Sequence, residues 1–264
     1  MIGLSIVIPV KNEADKIELC LEHAKWAHEI IIIDNGSTDD TLKICRKYTK
    51  KIHQCLGKES DCIPHLQNFG ISKATKDWIL VLDADVIVPE KAKKEILAKI
   101  ENNKYVGYYV PHRTVAFNKK LKCALFCDIL KLFRRGEARF DENSEHPTLK
   151  IRGRIGKLKS YVLHYAHPDI ETFVKKTNLY TSRDAKKIVQ FGKGGLLNKK
   201  IKMSTTYNLL IGPFLYANYL FWKKRYYKDG MHGLIISSLM GFYLFLERAK
   251  VWEEKFRKNA EKQV

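Results

Sequence analysis

The chain has 264 residues, with 48 Lys and Arg against 29 Asp and Glu, a formal charge of +19 at pH 7. That length carries one sizeable core and a second, smaller module. Six cysteines without a Cys-x-x-Cys pair exclude a zinc ribbon or a dithiol redox site. The basic excess shows no helix-turn-helix, zinc finger or aromatic RNA platform, so nucleic acid is not the expected partner.

Leu4 to Val10 reads as a first buried strand, closed by Pro9-Val10-Lys11-Asn12-Glu13. No charged leader with an apolar run precedes it, so a cytoplasmic protein with reduced cysteines is expected. Ile17, Cys20, Leu21 and Ala24 then keep helical spacing, with Asn12 as the expected cap. Glu29 to Ile33 gives a second strand, ending in Asp34-Asn-Gly36-Ser37-Thr38-Asp39-Asp40-Thr41. Ser37 to Asp40 reads as a capping box opening a helix through Leu42, Ile44, Cys45 and Tyr48. A weaker helix covers Leu66 to Ala74. The apolar run from Trp78 forms a strand that leads into Asp83-Ala84-Asp85. A helix from Pro89 to Ile100 and a strand over Val106 to Val110 follow.

Alternating strands and helices imply a largely parallel sheet covered on both faces. Ligands bind such sheets outside the carboxyl ends of the strands, so Asp34 and Asp83 are expected to share one crevice. A strand puts residues i and i+2 on one side, which would aim Asp83 and Asp85 at a single target. Two adjacent anions repel unless a cation lies between them, and a hard divalent ion bridging to substrate phosphates resolves this. Aspartates also end strands as turn formers and caps. That blander explanation loses ground because two strands end this way. Neither a Gly-x-Gly-x-x-Gly after the first strand nor a Gly-x4-Gly-Lys-Ser/Thr loop occurs. Phosphate would therefore be met by a metal held on acids, and Asp34 can accept from a base edge or ribose hydroxyls.

Together, Ile8-Pro9-Val10-Lys11-Asn12-Glu13, Ile33-Asp34-Asn35-Gly36-Ser37-Thr38-Asp39 and Leu82-Asp83-Ala84-Asp85 resemble glycosyltransferase family 2. The resemblance implies the GT-A nucleotide-diphospho-sugar transferase fold, a Rossmann-like, mostly parallel sheet with helices on both faces. It also implies inverting transfer of a sugar from a nucleotide diphosphate. Pro9, Asn12 and Glu13 would lie against the nucleotide, Asp34 would bind the base and Asp39 would support the pocket. Asp83 would lie near the ribose and metal, with Asp85 as the direct ligand of Mn²⁺ or Mg²⁺. A UDP-sugar is the favoured donor.

The second half resembles the subgroup containing lipopolysaccharide-core β-1,4-glucosyltransferases. The residues concerned are Phe140 to His146, Gly156-Lys-Leu158, His164-Tyr165, Lys176-x-Asn178-x-Tyr180, Asp229-Gly230-Met-His-Gly233 and Ala249-Lys250-Val-Trp252-Glu253. It departs from the subgroup at Glu145-His146, where His then Glu is usual. It departs again at Gln67-Asn68, where an Arg usually precedes the Asn; Asn68 is taken over as a donor contact. Inversion needs a base for the acceptor hydroxyl's proton. The acids Asp141, Glu142 and Glu145 stand out in a mostly basic stretch, and Glu145 is favoured. His164 is a candidate third metal ligand, since imidazole suits Mn²⁺.

Met203 to Trp222 and Gly230 to Leu246 carry no charged residue, and Lys223-Lys-Arg225-Tyr-Tyr-Lys228 lies between them. Each approaches the ~20 residues of a membrane span. The basic loop and basic flanks would then lie on opposite sides, against the positive-inside rule. Helices lying in the interface fit better, with a re-entrant hairpin or a buried helical pair packed on the sheet domain as the alternatives. This predicts a helical, membrane-associated C-terminal segment on the inner face of the cell membrane, an anionic membrane surface as partner, and a saccharide or lipid-linked acceptor. The expected organisation is residues 1–112 for the nucleotide-sugar, 113–200 for acceptor and catalysis, and 201–264 as the amphipathic helical region. Two rivals are a sugar-phosphate nucleotidyltransferase, which would release pyrophosphate, and a non-catalytic basic membrane-binding module.

Overall fold

A computed structural model describes residues 2–56, 63–102, 104–125, 127–141, 149–192, 195–197 and 207–261. They fall into two compact units, Met1–Thr114 with Cys127–Ala166, and Val115–Phe126 with His167–Val264. The stretch 113–200, expected as one half, is divided between them.

The first unit begins with β1 (Leu4–Val10), α1 (Ile17–Glu22), β2 (Glu29–Asp34), α2 (Thr41–Cys45), β3 (Ile52–Gln54), α3 (Ile63–Lys73) and β4 (Trp78–Val81). The four strands lie parallel in the order β3-β2-β1-β4. Their side chains are apolar on both faces because helices cover both. Leu4, Ile6, Ile8, Ile30, Ile32, Trp78 and Leu80 pack with Ile17, Cys20 and Leu21 of α1. Val7, Ile31, Ile33, Ile79 and Val81 pack with Leu66 and Phe69 of α3. Gly70 lets α3 sit close to the sheet, since a Cβ there would lie 2.4 Å from Val7 Cγ1. Pro9 is tolerated in this central strand because the β4 ladder stops at Val7–Val81, two residues earlier.

The chain continues through β5 (Val86–Ile87), α4 (Glu90–Ile100), β6 (Gly107–Ala116), β7 (Lys119–Lys120), β8 (Cys127–Arg134), β9 (Ala138–Phe140), β10 (Leu149–Ile151), β11 (Ile155–Lys157) and β12 (Val162–His167). α4 adds Ala92, Ile96 and Ile100 to the core face that α1 covers. β8 joins β4 antiparallel, and the order continues β8-β6-β12-β5. The sheet is thus parallel where the sequence alternates strand and helix, and mixed beyond β4.

Three local expectations are corrected. The strand before Asp83 stops at Val81, and a turn follows in which Val86 N–H donates to the Asp83 carbonyl at 3.0 Å. Asp83 and Asp85 therefore stand on a turn and are not aligned by strand alternation. Asn12 does not cap α1, whose N-terminal residue is preceded by Lys16 without a side-chain cap. Ser37 to Asp40 forms no capping box, because α2 begins after Asp40 and has no side-chain cap.

The second unit contains β7, α5 (Ile170–Phe191), α6 (Gly212–Asn218) flanked by π-helical turns over 207–211 and 219–223, and α7 (Met231–Glu261). Asp169 caps α5, accepting from Thr172 N–H at 2.6 Å. Its buried stripe of Phe173, Thr177, Thr181, Ala185 and Ile188 keeps helical spacing. Lys250 Nζ on α7 donates to Asn178 O and Oδ1, each at 2.7 Å, and to Thr181 Oγ1 at 2.9 Å. The buried Asp229 carboxylate accepts the backbone N–H groups of Lys122, Cys123 and Ala124. The Asn178, Asp229 and Lys250 patterns in the sequence are thus explained by packing within this unit.

Candidate active site

The loops after β1 and β2 are clasped together. Asn12, in the left-handed region at φ 54°, accepts Thr38 N–H at 2.8 Å, and its own N–H donates to Ser37 Oγ at 3.1 Å. Asn is one of the few residues with a side chain that adopts this conformation readily. Glu13 N–H donates to Thr41 Oγ1 at 2.8 Å and Ala14 N–H to Asp39 Oδ2 at 3.2 Å. Asp39 also accepts from Thr41, whose hydroxyl holds its carboxyl below the usual range. Asp39 thus shapes the loop pair by binding backbone. Glu13 also pairs with Lys16 at 3.2 Å. Burial opposes the Lys16 ammonium, but Glu13, then Asp15 and Asp85, outweigh it and raise its pKa.

Asp34 ends β2 with no solvent exposure. Its Oδ1 accepts Ser37 N–H at 3.0 Å, while Oδ2 has no partner among the described residues. The turn is made by Gly36 at φ +75°, a conformation that side chains other than Asn and Asp rarely allow. A buried, unpartnered carboxylate oxygen carries a desolvation cost that a ligand's N–H or O–H would relieve.

The two acids of the Asp83-Ala84-Asp85 turn have different partners. Asp85 Oδ1 lies 3.3 Å from His164 Nε2. The backbone sets this distance, because β12 pairs with β5 in a register that matches His164 with Val86, and Tyr165 N–H donates to Asp85 O at 2.8 Å. Asp83 is paired with Lys131 on β8, whose Nζ is 3.2 and 3.3 Å from its two oxygens. Crowding by surrounding protein pushes the partly exposed Asp83 carboxyl up, yet the charges of Lys131 and then His164 prevail and hold it below the usual range. His112, 1% exposed, has its pKa driven down to about 4, chiefly by burial. It is neutral at pH 7, so Nδ1–H donates to the Val110 carbonyl at 2.9 Å. Cys20 of α1 lies beneath the turn, 3.7 Å from the Asp83 carbonyl, and burial with the charges of Asp85 and Asp83 raises its thiol pKa.

A carboxylate beside an imidazole is a donor pair suited to Mn²⁺. Among the described residues no group of three His, Cys, Asp or Glu side chains is arranged to hold an ion. Two protein ligands fit the habit of divalent sites that take their remaining ligands from phosphates. Asp85 and His164 suit such an ion better than Asp83, whose two oxygens already face an ammonium.

Of the proposed bases, Glu142 and Glu145 lie outside the described residues. Asp141 follows β9 and is ion-paired with Lys150 at 2.7 Å. Asn68 contacts the same strand: its Nδ2 donates to Phe140 O and its Oδ1 accepts Phe140 N–H, both at 2.9 Å. The carboxamide thus pairs with the backbone immediately before Asp141. Gln67, 4% exposed, has an Oε1 without a partner among the described residues.

Sequence reasoning missed Lys131, Lys16 and His112. A signal for Lys131 was present, namely a lone lysine inside the apolar run Ile129-Leu-Lys131-Leu-Phe133. Buried lysines call for a carboxylate.

The family model described as "Glycosyl transferase family 2" matches residues 5–161. The chain is 27% identical to the uncharacterized glycosyltransferase RT0209 of Rickettsia typhi, covering 95% of this chain and 87% of that protein. It is 24% identical to the lipopolysaccharide core biosynthesis glycosyltransferase LpsC of Rhizobium meliloti, over 95% and 92% of the two chains. Among solved structures it is similar to TarS 1-349 of S. aureus, at 15% identity and a TM-score of 0.48, over 98% of this chain and 92% of that one. The matched residues 5–161 run from β1 to the start of β12 and include both acid-bearing strand ends. The chain belongs to glycosyltransferase family 2, and its first unit is a GT-A-like α/β fold.

Proposed function

We propose that the protein is an inverting, metal-dependent hexosyltransferase. It would move a sugar from UDP to a hydroxyl of a saccharide or lipid-linked acceptor, in the synthesis of cell-envelope glycans or glycolipids. The observation that carries this reading is Asp34, buried with one oxygen unpartnered among the described residues, at the same sheet edge as the Asp83–Asp85 turn. That oxygen can accept a base N–H, and uridine is the favoured base with guanosine as the alternative. The clasped loops at Asn12, Glu13 and Asp39 would line the nucleotide, and Asp83 would accept from ribose hydroxyls. Asp85 and His164 would hold the divalent ion. The ion would supply charge stabilisation to the departing diphosphate as a Lewis acid.

In the transfer, the acceptor oxygen bonds to the anomeric carbon while the bond from that carbon to the diphosphate oxygen breaks. The acceptor proton goes to a carboxylate and nucleoside diphosphate leaves. Glu145 is kept as the favoured base, and Asp141 is ion-paired with Lys150. The similarity to LpsC over most of both chains supports an envelope saccharide as acceptor.

No helix among the described residues is long and apolar enough to cross a membrane. The second unit nevertheless exposes Phe214, Leu215, Trp222 and Met231, and Lys223, Lys224, Arg225 and Lys228 are exposed in the stretch between the last two. Aromatic and aliphatic side chains bordered by cations suit an interface of anionic lipid. Peripheral attachment to the inner face of the membrane follows as part of the proposal.

The test is product analysis with a panel of nucleotide sugars, Mn²⁺ and a membrane extract as acceptor source. Release of nucleoside diphosphate supports the transferase. Release of pyrophosphate from a sugar phosphate and a nucleoside triphosphate would instead support the nucleotidyltransferase rival.

A further inference from the structure

Lys131 occupies an irregularity in the sheet. β6 and β8 pair Tyr108 with Leu132 but Tyr109 with Leu130, so Lys131 is the extra residue of a β-bulge. Bulges re-aim a side chain that regular alternation would send elsewhere, and they recur beside active sites. Here the lysine side chain is 8% exposed, and its ammonium meets both oxygens of Asp83. Asp83 itself stays 43% exposed. One side of this carboxylate is therefore bound to a resident cation and the rest remains open to a ligand.

We propose that Lys131 is a positioning residue that reserves Asp83 for the hydroxyls of the donor and confines the divalent ion to Asp85 and His164. A second cation approaching Asp83 would be repelled by the ammonium already there. A neutral hydroxyl meets no such repulsion and can donate to the carboxylate's remaining lone pairs. Asp85 instead faces an imidazole 3.3 Å away, which is itself a ligand for transition metals. The bulge thus makes two neighbouring acids of one motif chemically unlike. The inference rests on the transferase reading above.

Mn²⁺ binding followed by the paramagnetic resonance of the free ion, with UDP at saturation for each variant, tests this apart from turnover. UDP binding is measured in parallel by calorimetry. Lys131→Met is expected to tighten Mn²⁺ roughly tenfold, because a second carboxylate becomes available. Lys131→Arg should restore the wild-type affinity, and Asp83→Asn combined with Lys131→Met should abolish the gain. Asp83→Asn alone should leave Mn²⁺ affinity within about twofold while weakening UDP, whereas Asp85→Asn should weaken Mn²⁺ at least roughly tenfold. The inference is overturned if Lys131→Met lowers the melting temperature with no change in Mn²⁺ affinity, since that is a purely structural role. It is overturned equally if Asp83→Asn weakens Mn²⁺ as much as Asp85→Asn. A wild-type protein that binds neither Mn²⁺ nor UDP overturns the transferase reading, and this inference with it.

Discussion

Asp85 Oδ1 and His164 Nε2 stand 3.3 Å apart although 78 positions separate them in the chain, because β5 and β12 pair directly beside them. If this pair holds the metal, Asp85→Asn and His164→Ala should each reduce Mn²⁺-dependent transfer, Asp85→Asn by about 100-fold. Melting temperature should change little, since both side chains are partly exposed. Metal-titrated rates of the two variants provide the check; unchanged rates with either variant would remove the pair from the reaction.

Asp34→Asn keeps the size and the Ser37 contact but removes the charge behind the free Oδ2. A lost charge-assisted hydrogen bond of about 1.5–3 kcal/mol weakens binding roughly 10- to 100-fold. Calorimetry with UDP should show that loss, together with retained binding of Mn²⁺.

Two buried glutamates titrate with opposite consequences. Glu29 accepts from Ser5, Lys51 and Thr75; burial raises its pKa but these contacts, Lys51 foremost, bring it to about 2. Unfolded, it ionises near 4.5. Stability is thus gained above about 4.5 and lost as pH falls toward 2, on the order of 3 kcal/mol. Glu247 is 1% exposed, and burial drives its pKa up to about 7 despite the Leu196 N–H it accepts at 2.7 Å. Between 4.5 and 7 the folded form holds the extra proton, so raising pH through that window costs stability. Thermal melts from pH 5 to 8 should show the second unit losing stability, and Glu247→Gln should flatten that slope. Glu29→Gln should reduce the loss seen below pH 4.

Vesicles of anionic lipid should sediment with the protein at low salt and release it at high salt. Trp222→Ser and a Lys223→Glu, Lys224→Glu pair should each weaken the association. Equal recovery with neutral and anionic vesicles, or none with either, would sink the membrane-surface proposal.

Much of the parallel half was legible because its chemistry is local. Short, mostly β-branched runs such as Ile30-Ile-Ile-Ile33 and Trp78-Ile-Leu-Val81 read as strands covered on both faces, which puts the acids immediately after them at the sheet edge. The positions of Asp83 and Asp85 were less legible, since a turn formed by one backbone hydrogen bond replaced the expected continuation of the strand. Asn12 and Ser37 to Asp40 carried capping chemistry, but their hydrogen bonds went to each other's loops, a long-range choice that short-range spacing does not encode. Lys131 was invisible as a partner of Asp83 because a bulge 48 residues downstream directs it there.

The boundary between the two units is crossed three times by the chain, near residues 114, 126 and 166. Leu121 and Ala124, from the short middle passage, are buried with Leu220, Tyr226 and Ile236. No single cut therefore yields two intact pieces. Ending the polypeptide at 166 would orphan a sticky apolar loop in the middle of the first unit, so fragment work requires removing residues 115–126 as well or retaining the full length.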